Sequence, residues 1–325
     1  MQILDNFSKT KILVVGDVMI DRYWWGSVTR ISPEAPVPIV RLEEMSIAAG
    51  GAANVAANLA GLGVTPYLFG IVGEDDESRL LASLLEKIGI VNHFLIPLAK
   101  RNTTVKTRIV AHSQHVVRID QETTEPISDI DADKILPQIA EILPEIDAVI
   151  ISDYAKGFFS DHFLSNLINP IKESGKMLFV DPKGRDFARY KEATVITPNK
   201  REAAEACGLE MDTTDLVSRA GDILMEQLAL KALLITEGED GMTLFDGEKG
   251  HSHFDSLAQN VYDVTGAGDT VIATFAAASA AGQTFLEAAK LANIAAGLVV
   301  GKIGTTTITK EMISEFSTGQ TQSAP

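Results

Sequence analysis

Short apolar runs recur along this chain, and most of them end in a polar or charged residue. The first is KILVVGDV (11–18); YLFGIVG (67–73), AVIISDY (148–154), MLFVDP (177–182), ATVITPN (193–199) and ALLITEG (232–238) follow. A continuous apolar run of this length, closed by turn residues, predicts a strand buried on both faces. Between these runs, 75–89, 131–143, 160–173 and 213–229 carry a helical period. Strands alternating with helices predict a mostly parallel sheet sandwiched between two helical layers. Ligands of such sheets gather at the carboxyl ends of the strands. Asp17, Asp153, Asp181 and Asn199 stand at those ends and are expected to converge on one crevice.

Two segments break the rhythm. Residues 20–45 include ISPEAPVPIVRLEE, with three prolines and no helical period, and TTVKTRIVAHSQHVVRIDQE (103–122) reads as a two-stranded hairpin. Together they predict a small β-sheet lid projecting from the main domain, with an apolar face that needs cover from substrate or from a second subunit. The domain is expected to fill residues 1–316, and the polar tail 317–325 to be disordered.

Composition narrows the partners. Hydrophobic residues make up 46% of 325, enough for a large core. The net charge of −16, from 44 acidic and 28 basic residues, repels nucleic acid and anionic membranes, so an anionic substrate needs locally placed cations. The single cysteine, Cys207, cannot close an internal disulfide, and the first ten residues carry no cationic start before an apolar run. These features fit a cytoplasmic protein.

Chemistry concentrates in two glycine-bearing stretches. In DVTGAGDT (263–270), the backbone of Gly266, Ala267 and Gly268 can turn N–H groups toward an anion, and the helix that follows adds its positive end. Asp269 falls in the first turn, where the helix field is expected to keep it ionised and able to take a proton from an attacking hydroxyl. The plainer reading is a helix start with a favourable first-turn acid. No lysine follows the glycines, which excludes a Walker loop. In AAGGAANVAANLAGLG (48–63), Gly50 and Gly51 precede a helix of small residues, and Asn54 can reach a sugar hydroxyl from its first turn.

In this order and spacing, GDVMID, the Gly-Gly-x-x-Asn helix, TPNKREAAE and DVTGAGDT resemble the signatures of the ribokinase-like, or phosphofructokinase-B type, carbohydrate kinases, from about Lys11 to Phe316. The resemblance implies a ribokinase-like three-layer α/β/α sandwich with a β lid, and an ATP-dependent kinase. It implies Asp269 as catalytic base, Gly266, Ala267 and Gly268 as anion hole, and Asp17, Asp21, Gly50, Gly51 and Asn54 as sugar contacts. Asn199 and Glu202 would organise Mg2+, with Asn199 also near the nucleotide. Thr236 and Gly238 would lie by the phosphates or ribose, and a helix over 291–305 would wall the adenine, with Asn293 at its rim.

The lid sequence DRYWWGSVTRISPEAPVPIV (21–40), with SDYAKG and VDPKG, resembles the bacterial heptose 7-phosphate kinases of lipopolysaccharide inner-core synthesis. That likeness implies transfer of the ATP γ-phosphoryl to the anomeric hydroxyl of D-glycero-D-manno-heptose 7-phosphate, and a homodimer joined through the lids is a further expectation. Arg108, Arg118, Lys156 and Lys183 are the candidate cations for the sugar's own phosphate. The alternatives are a kinase of another sugar and a non-catalytic sugar-phosphate sensor. A dinucleotide-dependent dehydrogenase would need G-x-G-x-x-G after the first strand, where GDVMIDR stands instead.

Overall fold

In the run Lys11–Gly16, strand β1, alternate side chains serve two different cores. Ile12 and Val14 face a layer built from the helices Ala52–Gly61, Ala267–Ala280 and Phe285–Val299, while Leu13 and Val15 face the layer of Asp129–Ile142, Asp161–Glu173 and Leu216–Leu228. All four are fully buried, each contributing roughly 1.5–3 kcal/mol of apolar transfer. A computed structural model of the chain describes residues 4, 6–112, 114–258, 263–302 and 304–322.

Thirteen strands form two sheets among the described residues: β1, β2 (Val18–Ile31), β3 (Pro38–Gly51), β4 (Thr65–Val72), β5 (His93–Pro97), β6 (Thr104–Ala111), β7 (Gln114–Gln121), β8 (Ala148–Ser152), β9 (Met177–Asp181), β10 (Val195–Ile196), β11 (Ala232–Thr236), β12 (Met242–Asp246) and β13 (Gly250–Phe254). The large sheet runs β13-β12-β11-β10-β9-β8-β1-β4-β5, parallel from β11 to β5, with β12 and β13 added antiparallel at one edge. The six strands expected from apolar runs are all there, and they are the sheet's contiguous centre. Their carboxyl ends therefore stand side by side, carrying in order Thr236, Asn199, Asp181, Asp153 and Asp17.

The second sheet, β3-β2-β6-β7, is the lid. β2 and β3 make one long hairpin, and β6 and β7 the other. Two expectations shift. The helix read over 291–305 lies at Phe285–Val299, started by the Thr284 side chain, and residues 300–302, 304 and 305 lie outside it. The tail read as disordered from 317 is helical as far as Gln322, the end of Lys310–Gln322, and residues 323–325 lie outside the described set. Among the described residues no helix is long and apolar enough to cross a membrane.

Candidate active site

The helix Ala267–Ala280 starts where Gly266 adopts φ +79°, a left-handed conformation that glycine takes without strain. A side chain there would also collide with the Asn54 amide, since a Cβ would lie 2.6 Å from its Nδ2. At Gly268 the opposite holds: nothing lies within 4 Å of where a Cβ would stand, so the helix mouth is open on that side. The Ala267 N–H is already used, donating to the Val264 carbonyl at 3.2 Å. First-turn N–H groups have no partner within the helix, which leaves those of Gly268 and Asp269 as the candidate anion donors.

Asp269 is 3% exposed. Its Oδ2 accepts from Asn54 Nδ2 at 2.7 Å and its Oδ1 from the Tyr154 hydroxyl at 2.6 Å. Burial pushes its pKa up to about 7, against the pull of the two hydrogen bonds. The helix field was expected to keep this acid fully ionised; desolvation outweighs it, and the group is poised near neutrality, where a base works best. Asn54 points at Asp269 rather than into open space. It is held in turn by Asn58, whose Nδ2 donates to the Asn54 carbonyl at 2.8 Å and whose Oδ1 accepts from Thr270 Oγ1 and the Ile308 N–H.

Asp17 lies beneath this pair and is 2% exposed. It accepts backbone N–H bonds from Tyr154, Lys156 and Phe158 at 2.9, 3.0 and 3.2 Å, so it pins the loop that brings Tyr154 to Asp269. Burial, reinforced by neighbouring Asp153, raises its pKa to about 6. Gly51, at φ +57°, joins the lid to the helix Ala52–Gly61 against the Asp17 carbonyl, 2.4 Å from where a Cβ would be. Gly50 similarly leaves room for the Asp21 carboxylate, whose Oδ2 a Cβ would meet at 2.7 Å.

On the lid, Asp21 forms a buried ion pair with Arg108 and accepts from Thr305 Oγ1 at 3.1 Å. The Tyr23 hydroxyl meets the same Thr305 Oγ1 at 3.0 Å, and Arg108 stacks over the Tyr23 ring. Arg108 is thus already committed to Asp21. Arg118 sits opposite it on exposed β7, bonded twice to Asp120. Lys156 reaches Glu122 at 2.8 Å, and Lys106, which the sequence reading passed over, lies between Asp120 and Glu122 at 3.5 and 3.8 Å. Lys183 is bonded to Glu202 at 2.6 Å, away from this cluster.

The nucleotide candidates line the neighbouring strand ends. Asn199 and Glu202 form a reciprocal capping box at the start of Lys200–Cys207, each side chain accepting from the other's backbone N–H. Asn199 also bridges to Thr236, and Gly238 follows at φ +66° with open space around it. Asn293 donates to the Asp255 carbonyl at 2.9 Å, tying the 255 loop to the Phe285–Val299 helix. Two site residues escaped the sequence reading besides Lys106: Tyr154, inside SDYAKG directly after a strand-end acid, and Thr305, in a loop distant in sequence from the lid that it holds.

Residues 9–312 match the family model described as pfkB family carbohydrate kinase. The chain belongs to this family. It is an ATP-dependent carbohydrate kinase. The bifunctional protein HldE of Magnetococcus marinus is 45% identical to the kinase over 309 residues, 93% of this chain and 63% of that protein. The protein of that name from Pectobacterium atrosepticum is 46% identical over 306 residues, 94% of this chain and again 63% of its own length. The chain thus spans less than two thirds of these curated relatives. Arabidopsis thaliana ribokinase, complexed with ribose and ATP, shares the fold with a TM-score of 0.75 at 23% identity, covering 94% of this chain and 98% of that one. Escherichia coli phosphofructokinase-2, in complex with substrates and products, gives 0.78 at 17% identity, covering 96% and 99%. The three-layer sandwich with its lid is the ribokinase-like fold.

Proposed function

We propose that this kinase transfers the ATP γ-phosphoryl to the anomeric hydroxyl of D-glycero-β-D-manno-heptose 7-phosphate, giving the 1,7-bisphosphate, in the cytoplasm as a step toward the lipopolysaccharide inner core. The carrying observation for the reaction is the Asp269 carboxylate: buried, doubly hydrogen-bonded and poised near neutral pH at an open helix mouth. For the sugar, the support is the heptose-kinase likeness of lid residues 21–40, together with 44–46% identity to proteins named HldE.

Phosphoryl transfer passes through a loose transition state, so the protein's task is positioning and charge stabilisation. Asp269 receives the proton of the attacking hydroxyl. Asn54 fixes the carboxylate, and the first-turn N–H groups of Gly268 and Asp269 face the arriving charge. Asp21, held by Arg108 and Thr305, is the lid's candidate for the sugar hydroxyls, and Lys106, Arg118 and Lys156 surround two carboxylates that a substrate phosphate can replace as counter-ion.

Among the described residues no group of three acidic, histidine or cysteine side chains could hold a metal. Glu202, whose carboxylate is already shared by Lys183 and the Asn199 N–H, offers one outer contact with Asn199 beside it. That sparse set fits Mg2+, which keeps several waters and is carried largely by nucleotide phosphates; once bound, it would offset the negative charge of the phosphoryl oxygens.

ATP consumption with magnesium, measured against heptose 7-phosphate, ribose, fructose 6-phosphate and no sugar, tests the reading. Turnover with heptose 7-phosphate alone is expected, and Asp269→Asn should cut it by roughly 10²–10⁴-fold with ATP still bound. Turnover with another sugar alone would overturn the heptose and leave the base. Silence with every sugar in folded, ATP-binding protein would favour a sensor.

A further inference from the structure

Both oxygens of Asp269 are occupied, but by partners of different kinds. Asn54 is part of a buried lattice: 1% exposed itself, held by Asn58, which is fully buried and tied to Thr270 and the Ile308 N–H. Tyr154 comes from a loop on the other side of the crevice. That loop bends through two left-handed residues, Ala155 at φ +53° and Gly157 at φ +86°, and three of its N–H groups are fastened to Asp17. A non-glycine residue held at positive φ costs conformational energy, and here it aims one phenol hydroxyl at one carboxylate oxygen.

We infer that Tyr154 is a positioning residue for this kinase: its hydroxyl orients the Asp269 carboxylate toward the acceptor and stabilises its negative charge. The inference rests on the reading of Asp269 as base. Oδ1 keeps a second lone-pair direction, which the sugar hydroxyl meets while the phenol stays in place. The phenol remains a donor throughout, because burial and the adjacent Asp269 charge push its own pKa well above the usual tyrosine value. The titratable groups facing Asp269 are Tyr154, Asp181 at the end of β9 and Asp21 on the lid; Asn54 is neutral. The charge of Asp21 opposes ionisation of Asp269, and the charge of Asp269 in turn raises Asp181. Tyr154 and Asn54 are the two donors that favour it.

The test is the pH profile of kcat/KM for Tyr154→Phe, which keeps the ring and removes the hydroxyl, using whichever sugar of the panel turns over. The acid limb is expected to move to higher pH by about one unit, so that activity falls about tenfold below the limb and returns toward that of the unmodified kinase near pH 9. ATP affinity should be unchanged. Carbon-13 detection of the Asp269 carboxyl in the same variant should show the same upward shift without any turnover. A limb and a carboxyl titration that both stay put, whether or not activity drops uniformly, would overturn the inference. Asp269→Asn separates the two failures. If that variant is inactive while the Tyr154→Phe limb stays put, only the role of Tyr154 falls; if it turns over normally, the base reading falls and takes this one with it.

Discussion

Three carboxylates raised by desolvation, at the ends of β1 and β9 and at one helix start, define the chemistry at the residue scale. Asp17 and Asp269 are raised to about 6 and about 7, and Asp181 is raised well above the usual range by burial and by Asp269. A raised acid binds its proton in the folded state at pH values where the unfolded chain has released it. Its stabilising effect is complete below the unfolded value near 4 and is lost as pH rises through the folded one. Between pH 4 and 7, therefore, Asp269 makes the fold less stable with increasing pH, by at most about 1.4 kcal/mol per pH unit. Denaturant unfolding across that window is expected to show a flatter slope for Asp269→Asn than for the unmodified chain. Equal slopes would mean that the acid titrates normally. The cost of holding a near-neutral base is thus visible without any substrate.

At the scale of elements, the sequence made the central strands and the lid legible for different reasons. β1, β4, β8, β9, β10 and β11 are buried on both faces and so read as unbroken apolar runs. The lid strands were legible as exceptions to the helical period. His93–Pro97 and Gly250–Phe254 were not, because these two edge strands are short and only partly buried, and HFLIP and GHSHF carry no alternation that separates them from loop; Met242–Asp246, buried between β11 and β13, was missed because its apolar run is too short to stand out from the turn before it. The helix over 291–305 was misplaced because its apolar run continues through Val299 and Val300, past the end of the helix itself. At the site, the glycine stretches announced where backbones approach closely. What they could not announce is partnership. Asn54 reads as a sugar ligand until its distance to Asp269 is known, and Arg108 reads as a phosphate cation until Asp21 is found against it.

For the whole molecule, alternation divides the lid into two faces. Asp21, Tyr23, Lys106, Arg108 and Asp120 share the face that carries the ion pairs, whereas Met45, Ile47, Val117 and Ile119 share the other. These four are 64%, 37%, 48% and 51% exposed, an apolar patch on a chain of net charge −16. We propose that this patch is buried against the same patch of a second copy, which is the homodimer expected from the lid sequence. Light scattering is expected to give twice the chain mass at micromolar concentration, and the double variant Met45→Lys, Ile119→Lys to give the single-chain mass. A single-chain mass for the unmodified protein would dismiss the pairing.

The clasp that Asp17 makes on the Tyr154 loop has a consequence for how the molecule breathes. One carboxylate holds three amides that the strand ladder does not reach, so their openings are a single event rather than three. Protonation at about pH 6 takes an acceptor from that carboxylate. Deuterium should then enter at Tyr154, Lys156 and Phe158 in step, with their protection factors falling together as pH drops through 6 while the amides of β8 hold theirs. Independent rates at the three positions would mean that the loop is held by something other than Asp17.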